Sequence, residues 1–340
     1  MSKLCIKSFT LPALEAEMEK IGEKPFRARQ IFTWLYRRDV ASFDEMTNIT
    51  NDLREKLADL FFIQRMPADE VLSSEDGTQK IALRTVDDHL IETVLIPEPR
   101  RLTVCVSSQI GCRFGCRFCR TGTMGLIRNL SAGEIVEQYQ AAQRIAGERR
   151  ISNMVLMGMG EPLDNFDNVI DALFLLRGDH SLNLSPRKIT LSTVGVIPFM
   201  DELGKRIEVS LAVSLHAADD ATRNKIVPIN RKYSLAELMA ACRRYPVSPR
   251  RRITFEYALI KGVNDSAEDA HKLVKLIKPL RPKVNLIACN PFVESGFEPP
   301  DDQTVSDFLQ ILLDNNMTAI VRKPRGRDIL AACGQLATKK

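Results

Sequence analysis

The apolar positions of the first hundred residues change their spacing near residue 65. Before that point they recur every three or four residues, as in an amphipathic helix, and after it they alternate as in a half-buried strand. A turn signal, Glu75-Asp-Gly77, separates two of the predicted strands. The pattern therefore predicts three helices followed by three strands: Leu11–Ile21, Phe26–Arg38, Asn51–Phe62, Ala68–Ser73, Gln79–Val86 and His89–Ile96.

Beyond Arg101, short apolar runs alternate with longer amphipathic stretches. Six such repeats predict a parallel α/β layer or an open barrel, in which the working residues stand at the carboxyl ends of the strands. The predicted strands are Leu102–Ser108, Asn153–Gly158, Lys188–Ser192, Ile207–Leu215, Ile253–Leu259 and Val284–Ala288. The predicted helices are Ala132–Ala146, Phe166–Leu176, Ile197–Leu203, Leu235–Arg244, Ala267–Ile277 and Val305–Asn315.

These patterns divide the chain into four expected parts. We expect a small helical accessory domain at 1–65, a strand hairpin with its linker at 66–101, the barrel at 102–320 and a C-terminal segment at 321–340. Trp34 and Tyr36 on the second helix are suited either to base stacking or to the core and its rim.

Composition adds a broad class. The chain has 340 residues, 44% of them hydrophobic, which suits a globular enzyme. No apolar run reaches the roughly 18 residues of a membrane span, and Met1–Thr10 lacks a signal-peptide core, so we expect a cytoplasmic protein with reduced thiols. The net charge is only +5, but basic pairs and triplets favour a nucleic-acid partner: Arg100-Arg101, Arg149-Arg150, Arg243-Arg244, Arg250–Arg252 and Arg322–Arg327.

Three cysteines stand at C-x3-C-x2-C spacing after the first barrel strand. Cys112, Cys116 and Cys119 are one ligand short of a closed structural zinc site. They would leave one iron of a cubane iron–sulfur cluster open to another ligand, and Phe114 and Phe118 would shield the sulfurs. A zinc-stabilised RNA-binding protein is the alternative from a different class. It would need a fourth Cys or a His, and no His lies within a few residues of the loop.

Polar residues also follow the predicted strands. Met157–Pro162 is glycine-rich and offers Glu161 as a hydrogen-bond acceptor for an ammonium group. Ser192, Ser214–His216 and Asn290 come at the ends of later strands. Each signal alone is typical of ordinary structure, but one shared rim would give them the composition of a polar ligand site.

The cysteine spacing, with Phe118 before the third cysteine, resembles the signature of the radical S-adenosylmethionine (SAM) superfamily. Longer matches cover nearly the whole chain and resemble the RlmN/Cfr family within it. Glu161-Pro162 and the Arg325–Ile329 run look closer to the RlmN type than to the Cfr type. The matching segments are Lys24–Gln30, Ile91–Pro97, Cys105–Cys112, Gly158–Pro162, Pro228–Asn230 and Ala331–Leu336.

This resemblance implies a partial (β/α)6 radical SAM barrel with an N-terminal helical RNA-binding accessory domain. It implies one 4Fe–4S cluster on the three loop cysteines. The implied substrates are an adenine at the peptidyl-transferase centre of 23S rRNA and the adenine next to the anticodon in certain tRNAs, each methylated at carbon 2. Cfr-type relatives methylate carbon 8 instead. The implied SAM contacts are Gly160, Glu161, Ser192, Ser214, Leu215, His216 and Asn290.

The resemblance also implies roles for residues that the pattern alone would leave as ordinary. Cys333 would take a methyl group from one SAM, and a second SAM would yield the 5′-deoxyadenosyl radical that activates this methyl group for addition to adenine. Glu92 would then remove the carbon-2 proton, and Cys105 would resolve the adduct by forming a disulfide with Cys333. An electron donor such as flavodoxin or ferredoxin would reduce the cluster. We expect a monomer, with Cys5, Cys242 and Cys289 structural.

Overall fold

The computed structural model describes residues 3–248, 251–292 and 295–338, so Arg250 of the predicted basic triplet lies outside it. None of the helices within these ranges is long and apolar enough to cross a membrane. The described strands are β1 (Leu4–Cys5), β2 (Phe61–Phe62), β3 (Ala68–Ser73), β4 (Gln79–Arg84), β5 (Leu90–Glu98), β6 (Arg101–Val106), β7 (Gln109–Cys112), β8 (Gly125–Asn129), β9 (Asn153–Leu156), β10 (Ile189–Thr193), β11 (Ser210–Ser214), β12 (Thr254–Leu259), β13 (Lys283–Ala288) and β14 (Thr318–Val321).

Helices follow most of the parallel strands and cover the outer face of the sheet. Several begin with a Ser whose hydroxyl and a Glu or Asp three residues later bond each other's backbone, as at Ser131 and Glu134. The described helices are α1 (Leu11–Lys20), α2 (Phe26–Phe32), α3 (Asn51–Leu60), α4 (Arg120–Thr123), α5 (Ala132–Ala146), α6 (Phe166–Arg177), α7 (Ile197–Arg206), α8 (Asp220–Ile226), α9 (Leu235–Arg244), α10 (Ala267–Ile277) and α11 (Asp302–Asp314).

One ten-stranded sheet organises the molecule, in the order β14-β13-β12-β11-β10-β9-β6-β5-β4-β3. The strands from β6 to β14 run parallel, whereas β3, β4 and β5 extend the sheet as antiparallel strands. The predicted α/β class and partial barrel are confirmed. The barrel carries a seventh parallel strand, β14, which the pattern did not predict because this four-residue edge strand buries only Ala319.

Alternation along the strands separates the helix-facing side from the barrel interior. In β12, Phe255 and Tyr257 are buried in the hydrophobic core, and the Tyr257 ring lies 5.4 Å from that of Phe308 on α11. Glu256 and Ala258, the residues that alternate with them, line a cavity inside the barrel. The strand period thus sends every second side chain of β12 toward the candidate site.

The N-terminal helices share one hydrophobic core with the barrel. A fully buried ion pair joins the two parts, with Lys7 Nζ 2.6 Å from a carboxylate oxygen of Glu137 on α5. The Tyr36 hydroxyl donates to the Lys7 carbonyl, 3.0 Å away, so Tyr36 is a core residue rather than a base-stacking one. The predicted helix Phe26–Arg38 is α-helical only to Phe32 and continues as a π-helix.

The C-terminal segment after β14 folds back over the β3–β4 hairpin. Gly326 N donates to Asp76 of the hairpin at 3.2 Å, and the Ser74 hydroxyl donates to Asp328 at 2.6 Å. Gly77, with φ of +79°, makes the predicted turn that presents Ser74 and Asp76. These bonds tie the C-terminal segment to the sheet.

Candidate active site

A cavity of about 150 Å³ lies at the carboxyl ends of the parallel strands. Most of the residues predicted to bind a cluster or SAM line it, so the fold brings together residues from across the chain. Leu215, Glu92 and Cys105 do not line it. The predicted residues that do are Cys112, Cys116, Cys119, Gly160, Glu161, Ser192, Ser214, His216, Asn290 and Cys333.

A two-stranded ribbon, β7 paired with β8, holds the cysteine loop beneath this cavity. Gly111 has φ of +77°, and any side chain there would collide with the carbonyl oxygen of Gly125 on the facing strand. At the other side of the loop, Arg117 N donates to the Ile226 carbonyl at 3.0 Å, which anchors the loop to the end of α8. The three cysteines are therefore presented by a braced loop.

The glycine-rich turn after β9 positions Glu161. A Cβ on Gly158 or Gly160 would meet atoms of the chain around β6 and β7 at less than 3.0 Å, so only glycine permits this close packing. Glu161 accepts hydrogen bonds from Leu163 N at 3.0 Å and Val194 N at 2.9 Å. Burial raises the pKa of Glu161 to about 7, although these two hydrogen bonds act to lower it. A cationic ligand group would favour the ionised form.

His216 is held as a neutral ring in the wall of the cavity. Its backbone has φ of +59°, and its Nδ1 accepts a hydrogen bond from Ala258 N at 3.0 Å, which leaves the proton on Nε2. Burial lowers the pKa of His216 to about 3. The ring contacts Phe118 of the cysteine loop edge-on, with 4.5 Å between centroids. His216 is thus available to a ligand as an N–H donor and an apolar surface.

The C-terminal segment carries Cys333 into the cavity. Asn290 Nδ2 donates to the Cys333 carbonyl at 3.0 Å, and Arg120 N donates to the Gly334 carbonyl at 2.7 Å. Cys333 is exposed and lines the cavity, and desolvation by the chain around this cavity raises the pKa of its thiol. Arg322 opposes that rise by favouring the thiolate.

Glu92 and Cys105 lie under the same segment. Glu92 is only 6% exposed, so it is not an ordinary exposed strand residue, and its carboxylate accepts a hydrogen bond from Ala337 N at 2.8 Å. Lys80 lies 3.0 Å from the other carboxylate oxygen, and burial raises the pKa of Glu92 against that charge. Cys105 packs with Leu336, and burial raises its pKa to about 12, with a further rise from Cys333.

Comparisons with known proteins agree with this geometry. The family model of the ribosomal RNA large subunit methyltransferase N-terminal domain matches residues 6–63, and that of the radical SAM superfamily matches 106–274. A dual-specificity RNA methyltransferase RlmN from Paramagnetospirillum magneticum is 49% identical, over 99% of this chain and 76% of the relative. One from Geotalea uraniireducens is 48% identical, over 99% of this chain and 97% of the relative. The chain belongs to the RlmN family of radical SAM RNA methyltransferases.

A solved relative agrees in fold over the whole RlmN-family chain. The crystal structure of a radical SAM methyltransferase from Sphaerobacter thermophilus superposes with a TM-score of 0.92 at 45% identity, covering 98% of both chains. The protein is therefore an RNA methyltransferase with a radical SAM fold. Membership of the radical SAM superfamily implies SAM and a 4Fe–4S cluster.

The three loop thiols fit such a cluster better than a single metal ion. Within the described ranges, no three His, Cys, Asp or Glu side chains come close enough together to hold one ion. A cubane binds one thiolate at each of several irons, so its cysteines line a cavity without meeting at one point. Burial raises the pKa of Cys112 to about 12 and also raises those of Cys116 and Cys119. Iron ligation would hold these thiols deprotonated.

Sequence reasoning missed Arg223 in this RlmN-family site. Arg223 is 1% exposed, and its guanidinium donates to the carbonyls of Val194 and Leu215 at 2.8 and 2.9 Å. Asn230 accepts a third bond at 2.9 Å, so the Pro228–Asn230 motif was the available signal. Although burial lowers the pKa of Arg223 to about 10, it stays cationic beside Cys116.

Of the cysteines expected to be structural, Cys242 is buried in the core. Cys289 is buried too, but it also lines the cavity. Its pKa is raised by burial to about 11. Cys289 is therefore part of the wall of the site, which its strand-end position next to Asn290 would have indicated.

Proposed function

We propose that the enzyme methylates carbon 2 of an adenine at the peptidyl-transferase centre of 23S rRNA, and of the adenine next to the anticodon in certain tRNAs. Cys333 would carry the methyl group. The observation that supports this most is the C-terminal segment, which brings Cys333 to the cavity of the cysteine loop and covers Glu92 and Cys105. The relatives' name, dual-specificity RNA methyltransferase, supports RNA as the substrate class.

A carrier cysteine solves a chemical problem, because carbon 2 of adenine is electrophilic and does not attack a methyl sulfonium. One 4Fe–4S cluster and two SAM molecules per turnover would supply the methyl group and the one-electron chemistry when bound. Cys112, Cys116 and Cys119 would hold the cluster. The contacts proposed for SAM are Gly160, Glu161, Ser192, Ser214, Leu215, His216 and Asn290.

Three side chains of the enzyme would handle the adduct between Cys333 and adenine. Glu92 accepts the carbon-2 proton as general base, and the unpaired electron of the adduct would pass to the one-electron acceptor that the bound cluster supplies. Lys80 at 3.0 Å favours the carboxylate form of Glu92. Cys105 then attacks the sulfur of Cys333, forming the S–S bond while the bond between that sulfur and the transferred carbon breaks. The electron pair of the broken bond stays on the transferred carbon, which becomes the methyl group after protonation.

The remaining assignments concern partners and place. We propose that the N-terminal region 1–65 contacts RNA, because α2 and its π-helical extension expose Arg29, Arg37 and Arg38. A flavodoxin- or ferredoxin-type protein would supply electrons. The enzyme would act as a monomer in the cytoplasm.

The test compares single cysteine variants of anaerobically reconstituted enzyme. With Cys333→Ala we expect cluster loading and SAM binding without methyladenine. With Cys105→Ala we expect protein covalently joined to RNA, detected by mass spectrometry as a nucleotide-sized mass on the peptide that contains Cys333. Cys242→Ala, in the core away from the cavity, is the control and should form product.

Two results would contradict the proposal. The mechanism through Cys333 and Cys105 would be wrong if Cys105→Ala enzyme had a normal cluster and cleaved SAM normally but formed no adduct with RNA. Nucleoside mass spectrometry that finds 8-methyladenine rather than 2-methyladenine would assign the enzyme to the Cfr-type reaction instead.

A further inference from the structure

One buried carboxylate oxygen in the cavity wall has no hydrogen-bond partner among the described residues. It is Oε2 of Glu256, a side chain that is 5% exposed and lines the cavity from β12. The other oxygen, Oε1, accepts a hydrogen bond from Asn285 Nδ2 at 2.8 Å. The fold therefore supplies a hydrogen-bond donor to Oε1, whereas Oε2 remains able to accept a hydrogen bond from a ligand.

The fully partnered Glu137 shows what a structural buried glutamate looks like in the same chain. Its carboxylate receives Lys7 Nζ at 2.6 Å, the Arg144 guanidinium and Met66 N. Buried polar groups in folded proteins are nearly always bonded, because an unmet acceptor keeps its full desolvation cost. Oε2 of Glu256 has no such partner among the described residues, as is typical of a buried group that bonds to a ligand.

Glu256 belongs to a polar row that crosses four neighbouring strands. In the sheet register, Glu256 pairs with Ser214 on β11 and with Asn285 on β13. The Ser214 hydroxyl lies 3.3 Å from that of Ser192 on β10. The row thus reads Ser192, Ser214, Glu256 and Asn285, and its first two members are proposed SAM contacts. Leu215 N and His216 N also donate to the Glu256 carbonyl.

The order of the strands indicates how a SAM molecule would lie along this row of polar residues. Glu161, the proposed partner of the SAM ammonium group, follows β9, and Glu256 lies three strands farther along, with adjacent strands about 5 Å apart. A SAM molecule whose amino-acid end lies at Glu161 would extend its nucleoside toward β11 and β12. The donors available on that nucleoside are the ribose hydroxyls and the adenine amino group.

We propose that Glu256 binds the ribose of SAM, with Oε2 accepting a hydrogen bond from a ribose hydroxyl. This inference rests on the proposed function. A ribose diol both donates and accepts, which suits a row in which serine hydroxyls do both and the carboxylate only accepts. An acidic side chain also accepts a hydrogen bond from a ribose hydroxyl in dinucleotide-binding folds. The amino group of adenine only donates, so it would satisfy Glu256 but give nothing to the serines.

The first measurement is the affinity of cluster-loaded enzyme for SAM, by equilibrium dialysis under anaerobic conditions. We expect Glu256→Gln to weaken SAM binding by roughly tenfold or more, since a bond to a charged acceptor is lost. A SAM analogue lacking both ribose hydroxyls should bind wild type and Glu256→Gln equally. Glu137→Gln is the matched control, and its folded fraction should bind SAM as wild type does.

The second measurement is the thermal stability of the two variants without SAM. Glu256→Gln should lose less stability than Glu137→Gln, because Oε2 of Glu256 has no hydrogen-bond partner among the described residues and Arg322 acts on this carboxylate only through its charge. Glu137→Gln should unfold earlier, because it leaves Lys7 buried without its counter-charge. A purely structural Glu256 would instead behave like Glu137.

Each remaining outcome decides against the inference. Unchanged SAM affinity in Glu256→Gln overturns it while leaving the proposed function intact. The same holds if affinity for SAM is normal but affinity for substrate RNA falls, which would assign Glu256 to the RNA adenine. A third outcome concerns a SAM analogue that lacks the adenine amino group. If this analogue, and not the one lacking the ribose hydroxyls, binds wild type and Glu256→Gln with equal affinity, the ribose assignment is overturned. Failure of wild-type enzyme to bind SAM would count against the proposed function itself.

Discussion

At the scale of single residues, burial displaces the pKa values of most ionisable groups around the cavity. It raises the pKa of Glu161 to about 7, lowers that of His216 to about 3 and raises that of Cys112 to about 12. Each shift favours the neutral form, because a charge in the cavity has lost water. Burial therefore favours the neutral form of each of these groups unless a ligand of opposite charge compensates it, while Arg223 supplies a positive charge beside Cys116.

The loop cysteines give the clearest prediction at this scale. Cys112→Ala should reduce iron content and reductive SAM cleavage to background, because two thiolates hold too few irons of a cubane. Cys112 is the best choice because it is only half-buried, whereas Cys116 is part of the core. We expect a stability change within about 0.5 kcal/mol by denaturant titration of the apo-protein. Normal SAM cleavage by this variant would refute the assignment of the cluster.

At the scale of elements, the C-terminal segment is fastened at both ends of its path. The β3–β4 hairpin holds it through Asp76 and Asp328, and Asn290 and Arg120 hold it next to the cavity. The proposed chemistry requires this segment to bring Cys333 to SAM, to adenine and to Cys105 in turn. Its anchors should therefore control how readily Cys333 changes position.

Asp76 allows this control to be tested. Burial opposes ionisation, but hydrogen bonds from Thr78 and Gly326 outweigh it and lower the pKa of Asp76 to about 2. A lowered carboxylate pKa means that the anchor is complete above the ordinary value of about 3.9 and is lost as pH falls toward 2. Asp76→Asn should speed hydrogen exchange at Gly326 roughly tenfold at neutral pH, as measured by mass spectrometry.

The matched control for the anchor is Glu70→Gln, on the exposed edge strand of the same hairpin. It should leave exchange at Gly326 unchanged. The wild-type segment should lose its extra protection between pH 4 and 2, after correction for intrinsic exchange. Protection that persists in Asp76→Asn would place the anchor elsewhere.

At the scale of the whole molecule, the N-terminal helices and the barrel form one packed unit. They share a hydrophobic core, and the Lys7–Glu137 pair is fully buried between them. Deleting residues 1–65 would remove Lys7 from its ion pair with Glu137 and expose apolar surface of the barrel. Truncation would therefore disturb the barrel as well as RNA binding. The role of this region in RNA binding is better tested by substitutions of its surface residues.

RNA affinity should respond to such substitutions through salt. Phosphate contacts release counterions, so we expect binding to fall steeply as salt rises. Changing Arg29, Arg37 and Arg38 to Gln should weaken binding and reduce the slope of log K against log salt by about 2, if all three contact single-stranded RNA. Fluorescence anisotropy with an rRNA fragment measures both quantities.

The same experiment needs a basic control surface. Changing the exposed Arg243, Lys275 and Lys278 to Gln removes an equal charge from the outer helices of the barrel. The slope should then change less than with the N-terminal triplet. Equal slopes for the two triplets would mean that the N-terminal helices have no special part in RNA binding.

Local sequence patterns predicted much of the secondary structure of this protein. The bounds of β3 follow from apolar periodicity, and those of α5, α9 and α10 follow from apolar periodicity together with a Ser cap, because both signals depend on neighbours in sequence. The cysteine spacing and the strand-end polar residues likewise named most of the cavity wall, since parallel strands end at one rim. Class and family were therefore accessible from the chain alone, and so was the position of the three loop cysteines in the cavity wall, where they are proposed to hold the cluster.

Other structural features depend on contacts between segments that are far apart in the sequence. The π-helical end of α2, the β7–β8 ribbon and the edge strand β14 have patterns too short or too mixed to predict. The burial of Arg223, the contact of Glu92 with Ala337 and the unpartnered oxygen of Glu256 have no local signal. Desolvation and hydrogen-bond satisfaction are set by atoms far away in the chain, so only the tertiary structure decided them.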